Sequence, residues 1–226
     1  MIQVAVSART PKRDLFRWAV ILGLLGLVAL TLWLFTQIFA ELRYPLAYES
    51  IILQEAEDHD LDPYLVAAVI YSESRFRPDA ISPVGARGLM QLMPLTAQGI
   101  ARRLGTVNFT VDQLYNPEVN IKFGAYHLQG LMGRYNAIEP AIVAYNGGGG
   151  AGDRYARGDR TAIPLESLGY VKKVLDAKAK YEELYPARLS GARALNEFLV
   201  QESIAEPLAN RLLRAVQGAI ANKLSK

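Results

Sequence analysis

The feature that most constrains this chain is a run of 23 residues without a charge, from Trp18 to Ala40. At 1.5 Å rise per residue, a helix of this length covers roughly 30 Å, the hydrocarbon thickness of a bilayer. The run is longer than the roughly 7–15 apolar residues of a cleavable signal peptide, and its end lacks two small residues at cleavage spacing. We therefore expect residues 18–40 to form an uncleaved transmembrane helix, with a cleaved signal peptide as the alternative.

The charges around this run predict its orientation. Residues 1–17 carry four basic side chains and one acidic side chain, which equals the formal net charge of +3 of the whole chain. An excess of basic residues marks the cytoplasmic flank, so we expect a single-pass protein of the inner membrane with everything after residue 41 in the periplasm. The rest of the chain is close to neutral, with acids and bases interleaved, which argues against a nucleic-acid partner.

Beyond Arg43 the sequence indicates an all-α domain, because apolar residues recur at helical spacing and nowhere alternate over the length of a strand. We assign residues 41–185 to this domain. Helices are predicted at residues 46–59, 62–74, 94–104, 116–135, 139–145 and 164–184. A Gly/Pro/Ser-rich connection separates Phe76 from Pro94, and the four glycines at 147–150 predict a mobile loop.

Residues 186–226 are predicted to form a separate helical tail that Pro207 divides. In its second half one apolar side chain recurs every four residues, and the only charges are basic: the apolar row is Leu208, Leu212, Val216, Ile220 and Leu224. This pattern is typical of a basic amphipathic helix, which binds a membrane surface or a protein partner. One hypothesis is that this helix binds a partner in an envelope machine or a phage particle. The alternative is that it packs on the domain of the same chain.

The composition narrows the chemistry. The chain has no cysteine, which excludes disulfides, thiolate metal sites and a Cys nucleophile. The two histidines, His59 and His127, are far apart in sequence and have no second ligand at metal-binding spacing. We expect neither a metal nor a cofactor.

Glu73 is the candidate catalytic residue that the pattern itself suggests. Val66, Val69 and Ile70 form an apolar stripe on one predicted helix, and Glu73 falls seven residues after Val66 on the same face. A desolvated carboxyl has a raised pKa, stays protonated near neutral pH and can act as a general acid. The alternative is a Glu near a helix end that projects into solvent.

Several motifs resemble one known family. The segments YSESRF at 71–76 and SPVGARGLMQLMPLTA at 82–97 are followed by AYNG at 144–147 and by PLES at 164–167 with Tyr170-Val171. In order and spacing they resemble the soluble lytic transglycosylase (SLT) domain, a family of lysozyme-like enzymes of peptidoglycan. The similarity covers about residues 45–182 and implies a lysozyme-like helical fold.

The resemblance also implies roles for individual residues. Glu73 corresponds to the single catalytic acid/base, and Ser82, Gln91, Tyr145 and Asn146 to residues that line the saccharide cleft. Glu166 corresponds to a supporting polar residue there. Met90 is kept among the candidate substrate-binding residues, although core packing is the more ordinary role for Met90 and Met93.

Two departures from the family stand out. The family has Ala-Gly after the Tyr-Asn pair where this chain has four glycines, and Ser167 stands where Thr is more usual. Four glycines make this segment more mobile, which leaves open how firmly it closes on a substrate. They do not affect the assignment of Glu73 as the acid.

The implied reaction cleaves the bond between N-acetylmuramic acid and N-acetylglucosamine and leaves 1,6-anhydro-muramic ends. One alternative is a goose-type lysozyme, which hydrolyses the bond with a second acid; Asp79 is the only acid in the 76–94 connection. Another is an inactive peptidoglycan-binding scaffold in an envelope-spanning or phage machine. Peptidoglycan is the expected partner in every case.

Overall fold

The computed structural model describes residues 11–190 of the chain. These residues form two compact units, which meet in sequence between Tyr44 and Pro45. The predicted amphipathic tail, residues 191–226, and the first ten residues lie outside the described part.

The first unit is one long helix, α1, Pro11–Arg43. It contains the predicted 18–40 span, and the side chains described from Leu15 to Phe39 are exposed. Large apolar side chains are rarely exposed in such a row in water. By length and composition this helix is able to cross a membrane, a property that it shares with signal sequences.

The second unit confirms the predicted all-α class, since the part of the chain from 45 to 190 contains helices and no strand beyond two isolated bridges. Its helices are α2 (Glu49–Asp58), α3 (Pro63–Ser74), α4 (Pro94–Arg103), α5 (Pro117–Tyr135), α6 (Ile138–Gly147), α7 (Gly149–Ala156) and α8 (Leu165–Leu184). A 3₁₀ turn at Val111–Tyr115 precedes α5.

Helix α3 is the centre of this unit. It begins where predicted, because the Asp62 carboxylate caps the Tyr64 N–H at 2.9 Å and Pro63 occupies the first helical position. Every residue from Leu65 to Ile70 is buried, so the helix is surrounded rather than amphipathic. It packs against α2 and along α8.

Helix α5 also begins where predicted, because the Asn116 side chain caps it by accepting a hydrogen bond from Val119 N. Its first half covers a small hydrophobic cluster that includes Leu92, Ile100, Leu114 and Phe123. This cluster ties α4, the 3₁₀ turn and α5 into one lobe.

Two predicted details are wrong. Helix α2 begins at Glu49 rather than Leu46, because Tyr48 has a left-handed backbone with φ 58° and so precedes the helix. The glycines at 147–150 are not one mobile loop: Gly147 ends α6, Gly148 makes a turn at φ 79°, and the next two open α7. Neither α7 nor the 3₁₀ turn was predicted.

Contacts with the end of α5 hold α7 in place. The Tyr135 hydroxyl shares its one hydrogen between Gly149 O and Asp153 Oδ1, each 2.9 Å away, and Arg134 donates to both Asp153 oxygens at 2.9 Å. A Cβ at Gly152 would lie 2.6 Å from the Tyr135 hydroxyl, so only glycine allows this close approach. We call Arg134, Tyr135 and Asp153 the α7 clamp.

Candidate active site

The Glu73 side chain lies on the last turn of α3 and is mostly enclosed. Its Oε1 accepts a hydrogen bond from the Tyr170 hydroxyl at 2.6 Å. Burial raises the pKa of Glu73 to about 7; the Tyr170 hydrogen bond and the charge of Lys173 oppose this rise, and the charge of Glu166 adds to it. At neutral pH this carboxyl is therefore divided between its protonated and ionised forms.

The end of α3 is built so that the chain turns away directly after Glu73. Arg75 and Phe76 both have left-handed backbones, with φ 53° and 62°. The Lys173 ammonium donates to the carbonyl of Ser72, one of the last-turn carbonyls that no helical N–H can reach. Helix α8 thus supplies both a phenol and a cation to the turn that carries Glu73.

Tyr170 belongs to one of the motifs that resemble the SLT family, but its place beside Glu73 was not predicted. It lies 97 residues from Glu73, so no local spacing connects the two. The available signal was its position on α8, four residues after Glu166 and therefore on the same helix face.

Tyr145 is the second phenol near Glu73. Its hydroxyl donates to Met90 O at 2.8 Å. Burial, followed by the negative charge of Glu73, raises the pKa of both Tyr145 and Tyr170 well above the usual tyrosine range. Both phenols therefore remain protonated hydrogen-bond donors at physiological pH.

Ser82 and Gln91 lie in the connection between α3 and α4, where each helps to fold the loop. Ser82 Oγ accepts a hydrogen bond from Ala86 N at 2.9 Å. Gln91, with a left-handed backbone at φ 49°, donates through Nε2 to Ala80 O at 3.1 Å and Gly88 O at 2.9 Å. The loop reaches the site through the carbonyl of Met90, which Tyr145 binds.

Asn120 fixes this loop to α5. It is fully buried, accepts from Met90 N at 2.7 Å, and donates to Arg87 O at 3.0 Å and Leu114 O at 2.8 Å. A Cβ at Gly88, where φ is 78°, would lie 2.2 Å from the Asn120 amide nitrogen. Gly88 is therefore required both by its backbone angle and by its neighbour.

The structure confirms core packing for Met90 and contradicts it for Met93. Met90 is 0% exposed, and a Cβ at Gly124 would lie 2.2 Å from its sulfur, so its side chain supports the loop from below and cannot contact a substrate. Met93, expected in the core, is 41% exposed because it precedes α4 at the surface.

Asn146, near the end of α6, and Glu166, on the first turn of α8, are both exposed. The Ser167 hydroxyl donates to Asn146 Oδ1 at 2.8 Å, and a Cβ at Gly147 would lie 2.6 Å from the same hydroxyl oxygen. The end of α6 and the start of α8 are therefore in direct contact.

In the described part of the chain, no group of three His, Asp or Glu side chains is arranged to hold a metal ion. His127 is the histidine nearest the site, with its ring 5.3 Å from that of Tyr145. Burial, and then the charge of Arg103, lowers the pKa of His127, so it is a neutral packing partner of that tyrosine.

Part of this chain is similar in sequence to known lytic transglycosylases. The chain is 36% identical over 153 residues to the soluble lytic murein transglycosylase of Salmonella typhimurium, covering 62% of this chain and 24% of that protein. It is 44% identical over 101 residues to the transglycosylase of Enterobacteria phage PRD1, covering 45% of this chain and 34% of that protein. It therefore spans only about a quarter to a third of these relatives.

A solved structure supports the fold. An inactive mutant of the lytic transglycosylase Slt from Pseudomonas aeruginosa superposes with a TM-score of 0.60 at 32% identity, covering 65% of this chain and 26% of that one. The predicted lysozyme-like helical class is thereby confirmed. The Transglycosylase SLT domain matches residues 50–164, just over half of the 226 residues. The chain belongs to the transglycosylase SLT domain family.

Proposed function

We propose that residues 45–190 form a peptidoglycan lytic transglycosylase in which Glu73 is the only acid/base. The observation that carries the proposal is the enclosed Glu73 carboxyl with its pKa of about 7. A general acid that must later act as a base works best when its pKa lies near the working pH. Membership of the SLT family supports the same assignment.

The proposed reaction needs one carboxyl for two proton transfers. Because Tyr170 donates to Oε1, the proton of Glu73 is carried by Oε2 and passes to the glycosidic oxygen as the bond to muramic C1 breaks. The 2-acetamido group of the substrate stabilises the positive charge at C1. Ionised Glu73 then removes the proton of the 6-hydroxyl, whose oxygen bonds to C1 and closes the anhydro ring, so that the acid is regenerated without water.

The loop contacts suggest which polar atom each cleft residue offers to the glycan. Ser82 Oγ accepts an internal hydrogen bond and keeps its O–H as a donor. Both Gln91 amide hydrogens have backbone partners, which leaves its Oε1 as an acceptor. Asn146 Oδ1 is occupied by Ser167, which leaves its amide as a donor. An amino sugar with an acetamido group and hydroxyls matches this mixed set.

We further propose that α1 anchors the enzyme in the inner membrane with residues 1–17 in the cytoplasm and the SLT domain in the periplasm. The support is the length and apolar surface of α1 together with the basic residues that precede its apolar span, residues 18–40. The same anchor is compatible with a role in a phage particle or in a secretion machine. That a partner binds residues 186–226 remains a prediction.

Mass spectrometry of digested peptidoglycan tests the activity. Purified full-length protein in detergent is expected to release muropeptides with 1,6-anhydro ends, and the matched Glu73→Gln variant is expected to release none while still binding peptidoglycan. The glutamine keeps the shape of the side chain but has no proton to give. Reducing ends in the products would identify a hydrolase instead, and lysis by the variant would show that the acid is misassigned.

A further inference from the structure

A groove unrelated to the proposed glycan contacts lies between α2, the 3₁₀ turn and α5. Its main cavity has a volume of about 500 Å³. A second cavity of about 300 Å³ adjoins it, since Thr106 and Phe109 line both. None of the residues that line either cavity is among the site residues described above. We call this elongated depression the α2–α5 groove.

The floor of the α2–α5 groove is apolar. Ile51, Phe109, Val119 and Phe123 line it, and the Phe109 and Phe123 rings lie 5.2 Å apart. Phe109 and Val119 are only partly buried, although they pack against the hydrophobic cluster of this lobe. An apolar occupant would complete that cluster by covering both side chains.

The rim of the groove carries both signs of charge. Glu55, Glu118 and Lys122 line the larger cavity, and Arg102 lines the smaller one. Glu55 and Glu118 therefore give the larger cavity an excess of one negative charge. An occupant with apolar side chains and cationic neighbours fits this end of the groove.

The described chain ends beside this groove. Arg188 forms an ion pair with Glu49, with Nε 2.8 Å from the carboxylate, and Leu189 is fully buried. Ser50 and Ile51, the next residues after Glu49, line the larger cavity. Everything beyond Ser190 therefore starts from the edge of the groove.

The segment that follows has the matching composition. Residues 208–226 contain the apolar row that begins at Leu208 and four basic residues, with no acidic residue. Residues 191–207 connect it to Ser190 and span up to roughly 55 Å when extended, far more than is needed to return to Ser50. A tethered segment acts at an effective concentration on the order of millimolar, which favours it over a second copy at ordinary protein concentrations.

We propose that residues 208–224 dock their apolar row in the α2–α5 groove of the same chain. The tail is then an intramolecular cover for the half-buried Phe109 and Val119, and its basic residues lie beside Glu55 and Glu118. A second copy of the chain, another protein or a lipid surface are the competing occupants that the experiment distinguishes.

Cysteine cross-linking in the full-length protein tests this, because the natural chain contains no cysteine. Thr106→Cys, at the exposed junction of the two cavities, is combined in turn with Leu208→Cys, Leu212→Cys, Val216→Cys or Ile220→Cys. Oxidation should give an intramolecular disulfide in at least one pair, because bonding requires Cα atoms within roughly 7 Å. The matched control replaces Thr106→Cys by Lys172→Cys, an exposed position on α8, and should give a several-fold lower yield.

Hydrogen exchange gives the second readout. Amides of residues 50–55 and 106–109 should exchange several-fold faster in the full-length double variant Leu212→Glu/Val216→Glu than in the natural chain, in detergent and in lipid nanodiscs. Equal disulfide yields from Thr106→Cys and Lys172→Cys, or disulfide dimers alone, would overturn docking in the same chain. Unchanged exchange at these amides in the double variant would also overturn it. Protection of the tail only on anionic lipid would then identify a lipid surface as the occupant.

Discussion

At the scale of single residues, the behaviour of Glu73 depends on three neighbours that act in opposite directions. Burial raises its pKa and Glu166 adds to the rise, whereas Tyr170 and Lys173 lower it. In the proposed mechanism Glu73 is the general acid, whose protonated form is lost when pH rises through its pKa, so each neighbour should change the pH at which activity falls. Replacing each neighbour in turn should therefore change the pKa of Glu73 in a direction that is known in advance.

Tyr170→Phe should move the basic limb of the kcat/KM profile to higher pH. The change removes a hydrogen bond that stabilises the ionised carboxyl, so the pKa of Glu73 rises above about 7. A shift of about one pH unit corresponds to roughly 1.4 kcal/mol, within the range of a hydrogen bond to a charged group. The rate at pH 6 should fall as well, because the carboxyl loses its fixed orientation. A basic limb at lower pH would contradict this role of Tyr170.

Glu166→Gln should move the same limb in the opposite direction. Removing a negative charge near Glu73 lowers its pKa, so the protonated acid is lost at lower pH. Glu182→Gln, on the last turn of the same helix, is the matched control and should leave the profile unchanged. An unaltered profile in Glu166→Gln would mean that its charge does not reach Glu73.

At the scale of elements, the α7 clamp explains how a glycine-rich segment becomes ordered. Tyr135 and Arg134 at the end of α5 hold Asp153, and so hold α7 close to the end of α6. Asn146 lies two residues before the Gly148 turn that joins the two helices. The glycines are needed for close approach at Gly147 and Gly152 and for the positive φ at Gly148.

Asp153→Asn should raise KM for glycan several-fold and change kcat much less. The substitution weakens the charged hydrogen bonds from Arg134, which loosens α7 and with it the position of Asn146, while Glu73 keeps its own contacts. Steady-state kinetics on soluble glycan strands measure KM and kcat separately. Asp176→Asn breaks an exposed i,i+4 pair with Lys172 on α8 and serves as the control. The same changes in kcat and KM in both variants would contradict the specific role of the α7 clamp and indicate a general effect on folding.

At the scale of the whole molecule, the proposed membrane location depends on the apolar surface of α1. The full-length protein should remain in the membrane pellet after alkaline extraction and keep an N-terminal tag. Leu25→Arg/Val28→Arg should release it, because an arginine near the centre of a membrane helix costs about 2.5–3.5 kcal/mol. Loss of the tag from the natural chain would instead identify a cleaved signal sequence.

Features that depend on adjacent residues could be predicted from the sequence, whereas features that depend on residues distant in sequence could not. The starts of α3 and α5 were predictable because Asp62-Pro63 and Asn116-Pro117 form caps from adjacent residues. Helix α7 was not, because its glycines favour a loop until Tyr135, which lies 14 residues from Gly149, fixes them. The predicted start of α2 was wrong because the spacing of apolar residues does not indicate that Tyr48 has a left-handed backbone conformation.

By itself, the sequence determined the helical class, the apolar anchor candidate and the placement of Glu73 near the end of a largely apolar helix, since periodicity and capping are local properties. Only the tertiary structure decided that Tyr170 binds Glu73 across 97 residues, that Met90 is a buried support, and that Tyr145 holds the loop carbonyl. The physical reason is that a pKa depends on which groups surround the carboxyl in space, and packing alone brings those groups together.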